Sequence, residues 1–379
     1  MNERTFIEMG ISNALVLGLE KAGICNPTKV QEEVIPAALA GRDIIGQSAT
    51  GTGKTLAFLL PVFQKIDPAK REPQAIVLAP THELAMQIFR QAQQLAENSS
   101  VPVTTAVIIG DVNIARQIDK MKERPHLVVG SSGRILELIQ KRKINAQTVK
   151  TIVLDEADRL MDENHRTAVT AIIKATQKDR QLMLFSATIP PAALAKASEL
   201  TQAPVMVAIS ESSAVPQQID HWLFLVESRD KIEFLRKLLA SLKVKRVLAF
   251  INTSAAIEET VAKLCHHGVT AAGIHGSAVK KDRQGAMEAF RDGRVQVLVA
   301  SDLAARGLDI SNIACVINLE IPEDPHAYQH RAGRTGRAGS SGLTVSLVDR
   351  SEEKLIVLLQ KKLNIHIAPK RLAFGKVID

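Results

Sequence analysis

Residues 48–55 read Ser48-Ala49-Thr50-Gly51-Thr52-Gly53-Lys54-Thr55. They follow residues 43–46, which predict a short buried strand, and precede an apolar run at 56–62, which predicts a helix. A glycine-rich turn between a strand and a helix points backbone N–H groups at one anion, and the helix N-terminus adds positive potential. We expect Lys54 to reach terminal phosphates and the Thr55 hydroxyl to bind Mg²⁺. The stretch predicts an α/β fold built around this phosphate loop.

A second strand signal lies about a hundred residues further along the chain and leads into acidic residues. Residues 152–154 are apolar, and Asp155, Glu156 and Asp158 follow. The carboxyl edge of a parallel sheet is where ligands bind, so the acids are expected beside the phosphate loop. Asp155 is the candidate carboxylate for Mg²⁺, and Glu156 is the candidate to orient and deprotonate a water molecule. Together the two segments predict nucleotide hydrolysis.

The second half of the chain contains a segment rich in arginine and glycine. It reads His330-Arg331-Ala332-Gly333-Arg334-Thr335-Gly336-Arg337. Guanidinium groups placed against a γ-phosphate stabilise the charge of the transition state. If these arginines belong to a different domain from the phosphate loop, hydrolysis depends on the two domains closing.

Composition restricts the class of protein. A chain of 379 residues with 46% hydrophobic residues suits two domains with full cores. No apolar stretch approaches the length of a membrane span, and the first residues lack the form of a signal peptide, so no membrane association is expected. The three cysteines, Cys25, Cys265 and Cys315, are isolated in sequence, which favours a reducing, cytoplasmic location.

The charge permits a polyanionic partner. The net charge is +8, and both halves carry a small positive excess. Aromatic residues make up only 3% of the chain, so we expect any nucleic acid to be held mainly by its backbone and with little sequence preference.

Strand-like and helical patterns alternate throughout, which predicts two α/β domains, each a mostly parallel sheet with helices on both faces. Candidate strands in the first half lie at 75–78, 105–109, 127–129, 152–154 and 182–185, with helices at 83–97 and 167–177. Candidate strands in the second half lie at 221–226, 246–250, 296–300 and 315–318. A polar segment ending in proline predicts a linker at 211–216 between domains 1–210 and 217–379, which face each other across a cleft.

The motifs resemble those of the DEAD-box ATP-dependent RNA helicases, in order and in spacing, over nearly the whole chain. Besides the segments above, matching residues are Phe6, Gly23, Pro27-Thr28 and Gln31 (adenine-recognising Q motif), Pro80-Thr81-His82-Glu83-Leu84-Ala85, Ser186-Ala187-Thr188, Ser301-Asp302, and Ala305-Arg306-Gly307-Leu308-Asp309. The resemblance implies two tandem RecA-like domains that bind ATP, Mg²⁺ and single-stranded RNA and locally unwind RNA duplexes or remodel RNA–protein complexes. It also implies that closure of the domains bends one strand.

The resemblance assigns residues to roles. For ATP it implies Phe6, Ile24, Thr28, Gln31, Ala49, Thr50, Gly51, Thr52, Gly53, Lys54, Thr55, Gly307, Asp309, Arg334 and Arg337. For RNA it implies Thr81, Gly110, Ser131, Gly133, Arg134, Arg283 and Ser301. For coupling the two activities it implies Asp158, Ser186, Thr188 and His330. Catalysis would rest on Lys54, Asp155, Glu156, Arg334 and Arg337, with Thr55 and Asp155 holding Mg²⁺ partly through water.

Departures from the family pattern concentrate on the RNA-facing motifs. His82 replaces an arginine, Asp111 a glycine, Ser131-Ser132 a Thr-Pro pair, and Lys280 a glutamine. A carboxylate at Asp111 would oppose an RNA phosphate, and Lys280 would partly compensate. These changes either alter RNA affinity or are neutral. Near the ATP site, Ile24 replaces an aromatic ring and offers less stacking.

The ends of the chain predict a minimal helicase core. We expect no room for an added RNA-binding domain, a last helix near 352–363, and a solvated basic tail at 368–372. The protein is expected to be a monomer, with any protein partners unidentified. Two other activities remain open: a DNA helicase or translocase on the same two-domain engine, and an ATP-switched clamp without helicase activity.

Overall fold

The computed structural model describes residues 4–48, 52–110, 112–187, 191–209, 219–275, 280–302, 313–336 and 341–378. The chain divides into two compact units, Met1–Glu211 and Ser212–Asp379. Each unit contains a parallel seven-stranded sheet with helices around it, which confirms the predicted fold class. The division falls within the segment predicted as a linker, 211–216, which itself lies outside the described residues.

The strands of the first unit are Ile44–Gln47 (β1), Ala75–Leu78 (β2), Thr105–Ile108 (β3), Leu127–Gly130 (β4), Thr151–Asp155 (β5), Gln181–Ser186 (β6) and Val205–Ala208 (β7). Its helices are Asn13–Lys21 (α1), Lys29–Leu39 (α2), Lys54–Lys65 (α3), His82–Ser99 (α4), Ile114–Lys122 (α5), Ser132–Gln140 (α6), Ala157–Leu160 (α7), Arg166–Ala175 (α8) and Pro191–Leu200 (α9), with a 3₁₀ turn at Ala146–Thr148. Strands β2, β4, β5 and β6 are buried along their whole length, as expected for a parallel sheet covered on both faces.

The order of strands in the first sheet positions the predicted motifs. The order is β3-β4-β2-β5-β6-β1-β7. Strand β6 lies between β1 and β5, pairing Gly46 with Phe185 on one side and Asp155 with Phe185 on the other. The carboxyl ends of β1, β6 and β5 are therefore neighbours. The carboxyl ends of β2, β4 and β3 continue the same edge of the sheet.

The second unit repeats this arrangement. Its strands are Ile219–Leu225 (β8), Val247–Phe250 (β9), Ala271–Ile274 (β10), Val297–Ala300 (β11), Cys315–Asn318 (β12), Gly342–Val348 (β13) and Ala368–Pro369 (β14), in the order β10-β11-β9-β12-β13-β8-β14. Its helices are Lys231–Leu242 (α10), Ser254–His266 (α11), Lys280–Arg291 (α12), Pro325–Ala332 (α13) and Glu353–Leu363 (α14), with a 3₁₀ turn at Ser228–Asp230. The predicted last helix is thus present.

The expectation that residues 368–372 form a solvated tail is wrong. Strand β14 pairs with the edge of β8, with Ala368 opposite Trp222 and Pro369 opposite Leu223. A hairpin of two strands, Arg371–Ala373 (β15) and Lys376–Ile378 (β16), follows. Leu372 and Val377 of this tail hairpin pack against a buried cluster of the second unit. The alternation of apolar and polar residues gives the segment one face that can be buried, and the open edge of β8 supplies backbone partners.

None of the helices in the described ranges combines the length and the apolar character needed to cross a bilayer.

Candidate nucleotide and RNA site

The phosphate loop is anchored at both ends. Ser48 is buried after β1, its N–H donates to the carbonyl of Ser186 at 3.1 Å, and its Oγ lies 2.9 Å from Thr52 Oγ1. Lys54 Nζ donates to the Ser48 carbonyl at 2.8 Å, so the lysine lies across the loop. Thr55 is half-buried in the first turn of α3. Ala49, Thr50 and Gly51 lie outside the described residues.

Gly53 needs to be glycine for two reasons. Its φ of 94° lies in the left-handed region, where a side chain is strained. A Cβ atom at this position would also lie 2.5 Å from Nε2 of Gln31. Gly53 therefore lets helix α3 begin directly against the start of α2.

Gln31 joins helix α2 to the phosphate loop. Its Oε1 accepts from the Thr28 N–H at 2.9 Å, which caps the helix, and its Nε2 donates to the Gly53 carbonyl at 3.1 Å. A primary amide has a second N–H and further lone-pair capacity, so reading an adenine edge is chemically compatible with these two bonds. Thr28 is exposed, Ile24 is half-buried, and Phe6 is buried at 2% exposure in the same core cluster that Ile24 contacts.

Three acidic residues lie close together at the end of β5, and the first of them, Asp155, is buried. Asp155 is only 5% exposed, and burial raises its pKa to about 6, opposed by nearby Lys54 and reinforced by the charges of Glu156 and Asp158. The Glu156 N–H donates to Asp155 Oδ1 at 3.0 Å. Among the described residues, nothing hydrogen bonds to Glu156 Oε2, although that atom is buried. The carboxylate is thus available to a water molecule or ligand.

The donor set fits a magnesium ion that is held largely by a nucleotide. In the described part of the chain, no group of three or more His, Cys, Asp or Glu side chains could hold a metal ion by itself. Magnesium at a nucleotide, however, is bound through one or two carboxylates together with substrate phosphates and waters. The buried Asp155 carboxylate and the Thr55 hydroxyl are oxygen ligands of that kind.

A short hydrogen bond links the acidic group to the end of β6. Ser186 Oγ donates to Asp158 Oδ1 at 2.6 Å. Two of the predicted coupling residues are therefore in direct contact, one strand away from the phosphate loop. Thr188 lies outside the described residues.

The residues predicted for RNA in the first unit follow β2, β3 and β4, which are adjacent in the sheet. Thr81 caps α4 by accepting from the Leu84 N–H at 3.2 Å. A Cβ atom on Gly110, which follows β3, would lie 3.1 Å from Nε2 of His82. Ser131 precedes α6 and Gly133 lies in its first turn. One departure from the family pattern, His82, thus adjoins Gly110, while Asp111 lies outside the described residues.

Arg134 braces the loop after β3. Its Nη1 donates to the Val112 carbonyl at 2.9 Å, and its Nε pairs with Glu137 at 3.1 Å. Gln117 is buried, at 4% exposure. Its Nε2 donates to the Ile109 carbonyl at 2.8 Å and to the Val112 carbonyl at 3.4 Å. The sequence does not predict a role for Gln117, because a glutamine on an amphipathic helix gives no signal of burial.

In the second unit, Arg331 is the centre of a buried network. It is 1% exposed, and its Nε and Nη2 donate to the two carboxylate oxygens of Asp302, each at 2.6 Å. It also donates to Asn252 Oδ1 at 2.8 Å, Asn318 Oδ1 at 3.1 Å and the Glu320 carbonyl at 2.6 Å. In the linear sequence Arg331 is one of three arginines at equal spacing, and nothing there distinguishes it from the other two.

Arg334 is 6% exposed, and its Nε donates to the His330 carbonyl at 3.3 Å. His330 lies on α13, Ser301 follows β11 and Arg283 lies on α12, and all three side chains are half-buried. Gly307, Asp309 and Arg337 lie outside the described residues, as do 210–218. The side chain of Lys280 is likewise outside the description.

A second buried polar contact extends the network of Arg331. His221 Nδ1 lies 2.9 Å from the Tyr328 hydroxyl, and Asn318 Nδ2 donates to Ser346 Oγ at 3.3 Å. Burial lowers the pKa of His221 to about 4, and burial raises the pKa of Tyr328 while its bond to Ser346 opposes the rise. His221 is therefore neutral at physiological pH.

Comparison with known proteins agrees with this geometry. A family model described as DEAD/DEAH box helicase matches residues 28–197, and one described as helicase conserved C-terminal domain matches residues 230–339. The chain belongs to the DEAD-box helicase family.

Two bacterial relatives are similar over almost their whole length. The DEAD-box ATP-dependent RNA helicase CshC of Bacillus cereus is 41% identical over 360 residues, which cover 95% of this chain and 92% of CshC. The probable ATP-dependent RNA helicase YfmL of Bacillus subtilis is 40% identical over 356 residues, 94% of each chain.

Among solved structures, S. cerevisiae Dbp5 bound to RNA and ADP BeF3 superposes with a TM-score of 0.89. It is 29% identical, and the match covers 96% of this chain and 95% of Dbp5.

Proposed function

We propose that this protein is an ATP-dependent RNA helicase that binds single-stranded RNA by its backbone and uses ATP hydrolysis to unwind short duplexes or remodel RNA–protein complexes. The observation that carries the proposal is the arrangement along one edge of the first sheet. The phosphate loop and the acidic group lie at the ends of β1, β6 and β5, and the residues proposed for RNA follow β2, β4 and β3.

In the proposed ATPase, Lys54 binds the terminal phosphates and Asp155 with Thr55 holds Mg²⁺. A magnesium ion held there would supply positive charge against the phosphates. Glu156, whose Oε2 is buried with no bonding partner among the described residues, orients the attacking water and accepts its proton. Gln31 positions adenine while it holds α2 against Gly53. Arg334 and Arg337 come from the second unit and would stabilise charge on the transferred phosphoryl group.

The contact between Ser186 and Asp158 supports a route for coupling. Glu156 is the N-cap of α7 and Asp158 lies in its first turn, so a change at the γ-phosphate that moves Glu156 would also move the partner of Ser186. His330 and Thr188 are the other residues proposed for coupling. Because the proposed RNA contacts are hydroxyl, backbone or arginine groups, the protein should bind RNA with little sequence preference.

We further propose that the protein acts in the cytoplasm as a monomer. Cys25 and Cys265 are exposed free thiols and Cys315 is a buried one, a pattern that suits a reducing compartment.

The test is RNA-dependent ATP turnover. The full chain should hydrolyse ATP faster with single-stranded RNA than without it, and it should separate a short RNA duplex only when ATP is present. DNA of the same sequence should stimulate less, since 2′-hydroxyl contacts distinguish the two. Equal stimulation by DNA would favour a DNA translocase, and absence of any stimulation would favour a clamp.

A further inference from the structure

The tip of the tail hairpin carries a fully exposed aromatic ring. Phe374 is more exposed than any other large hydrophobic residue of the described chain, at 106% of its reference area, although the protein has only ten phenylalanines, one tryptophan and one tyrosine. Folding therefore gains nothing from burying this ring.

The ring also occupies an unfavourable backbone position. Phe374 and Gly375 form the two-residue turn between β15 and β16, with φ of 51° and 70°. Such turns favour asparagine, aspartate or glycine, because both central residues have positive φ. A bulky residue with positive φ is an outlier, and outliers of this kind concentrate at functional sites. Neither packing nor turn geometry accounts for phenylalanine here.

The hairpin holds this ring firmly. Leu372 pairs with Val377 across the hairpin, and both side chains pack against the buried cluster that includes Phe224 and Leu235. Strand β14 and the N–H of Lys370, which donates to the Leu223 carbonyl at 2.8 Å, attach the hairpin to the edge of the sheet. The Phe374 ring thus lies at the tip of a hairpin that is attached to the second unit by packing and by backbone hydrogen bonds.

The surroundings of the ring are cationic. From Ile367 to Ile378 the chain has three basic residues and no acidic one, with Asp379 next. Arg371 and Lys376 are exposed on the face of the hairpin opposite Leu372 and Val377. Lys370 Nζ lies 5.8 Å from the centroid of the Trp222 ring. An aromatic ring flanked by cations suits a nucleotide, whose base stacks and whose phosphate is anionic.

We propose that the tail hairpin is an additional single-stranded RNA contact, in which one base stacks on Phe374 while Arg371 and Lys376 bind the adjacent phosphates. The inference rests on the proposed RNA helicase function. A protein partner fits less well, because the only other exposed large apolar residue of the hairpin is Ile378, far short of the roughly 1,000 Å² that a specific protein interface buries.

This contact is separate from the residues proposed for RNA in the same unit. Ser301 follows β11, the second strand in the order, whereas the hairpin follows β14, the seventh. Five strand spacings separate β11 from β14, which is about 24 Å across the sheet. An RNA of about 6 nucleotides that fills a site of about four has too few nucleotides left to cross this distance, whereas a longer strand can reach both places.

The test compares wild type with Phe374→Asn in the full chain. Asparagine is favoured in this turn, so the variant should be at least as stable to heat as wild type. Without nucleotide, its affinity for a single-stranded RNA of about 20 nucleotides should fall about fivefold to tenfold, the scale of one lost stacking contact. Its affinity for an RNA of about 6 nucleotides, near the smallest site size of single-strand binding folds, should change less. Val357→Asn, which removes a 64% exposed apolar residue from α14, is the matched control and should leave both affinities unchanged.

A second variant tests stacking directly. Phe374→Trp should keep the affinity of wild type, and long RNA should quench its fluorescence beyond the change seen for Trp222 in wild type. Equal affinities of wild type and Phe374→Asn, or no additional quenching in Phe374→Trp at saturating RNA, would overturn the inference. If wild type itself bound no RNA, the proposed function would fail instead.

Discussion

Glu156 adopts a left-handed backbone conformation between β5 and α7, with φ of 51° and ψ of 53°. For a residue other than glycine this geometry costs on the order of 1 kcal/mol, and it persists only where the surroundings impose it. Here the left-handed conformation turns the chain away from the line of β5 at Glu156, and the Glu156 N–H donates to Asp155 Oδ1. The left-handed backbone of Glu156 therefore helps to set the position of the proposed catalytic carboxylate.

Glu156→Gln should keep this geometry and remove the base. We expect ATP binding to persist and turnover to fall by about a hundredfold or more, the usual contribution of a general base. Fluorescent nucleotide binding and phosphate release measure the two quantities. Lys54→Ala is the contrasting variant, because it should weaken ATP binding itself. Near-normal turnover in Glu156→Gln would remove Glu156 from the mechanism.

His221 makes the second unit sensitive to acid. Its folded pKa, about 4, lies below the ordinary value near 6.5, so between these pH values the unfolded chain binds a proton that the folded chain does not. The neutral His221 therefore contributes to the free energy of unfolding above pH 6.5. This contribution, about 2–3 kcal/mol, is lost as the pH falls towards 4.

The single tryptophan, Trp222, neighbours His221 in β8 and reports unfolding of the second unit. Urea unfolding followed by its fluorescence should show a smaller loss of stability between pH 7 and pH 4.5 in His221→Gln than in wild type. An identical loss in both proteins would mean that His221 does not titrate across this range.

At the scale of elements, Arg331 joins the end of α13 to the carboxyl ends of three strands. Asn252 follows β9, Asp302 follows β11, and Asn318 ends β12. Arg334 lies three residues after Arg331, just beyond the end of α13. The network thus fixes the end of α13, directly before Arg334.

Arg331→Met should destabilise the second unit by about 3 kcal/mol, because it leaves the polar partners of a buried charge without donors. The destabilisation is smaller than for a fully buried ion pair, because the Asp302 side chain is 31% exposed and water can solvate its carboxylate. The urea midpoint of the Trp222 signal measures the change. Arg331→Met combined with Asp302→Asn should be less destabilised than Arg331→Met alone, and a simple sum of the two single effects would speak against direct coupling.

Sequence reasoning recovered the elements that have strong patterns. The strands predicted at 75–78 and 315–318 are present with those bounds, and the helix predicted at 83–97 is His82–Ser99. Continuous apolar runs between turn residues identify buried parallel strands well. Strands β14, β15 and β16 were missed because two or three residues carry no periodic signal and their pairing depends on the distant edge of β8.

The sequence predicts which residues form the candidate site better than it predicts the hydrogen bonds between them. Motif spacing pointed to Lys54, Asp155 and Glu156, but nothing in it showed that the Gln31 amide bonds to Gly53. Likewise, Arg331 and Arg334 are equivalent in a linear pattern, and only the packing of α13 on the sheet turns Arg331 inward. Such contacts join segments far apart in sequence, so no local pattern encodes them.

At the scale of the whole molecule, the proposed catalytic groups are divided between two units. The phosphate loop and Glu156 belong to Met1–Glu211, and Arg334 and Arg337 to Ser212–Asp379. A truncated protein of residues 1–210 should therefore bind nucleotide weakly and hydrolyse it at least about a thousandfold more slowly than the full chain, which is the usual cost of losing an arginine that stabilises the transferred phosphoryl group. Turnover equal to that of the full chain, with or without RNA, would show that one unit suffices.

Strand β14 also has a protective effect. It contributes only two residues to the sheet, and one of them, Pro369, has no N–H to offer a further strand. Without it, the backbone of β8 at Trp222 and Leu223 would become an open edge beside Leu225, which is already exposed. Open, apolar edges template pairing between molecules. A chain shortened before residue 368 should therefore form dimers and larger aggregates as its concentration rises, even if each unit still folds.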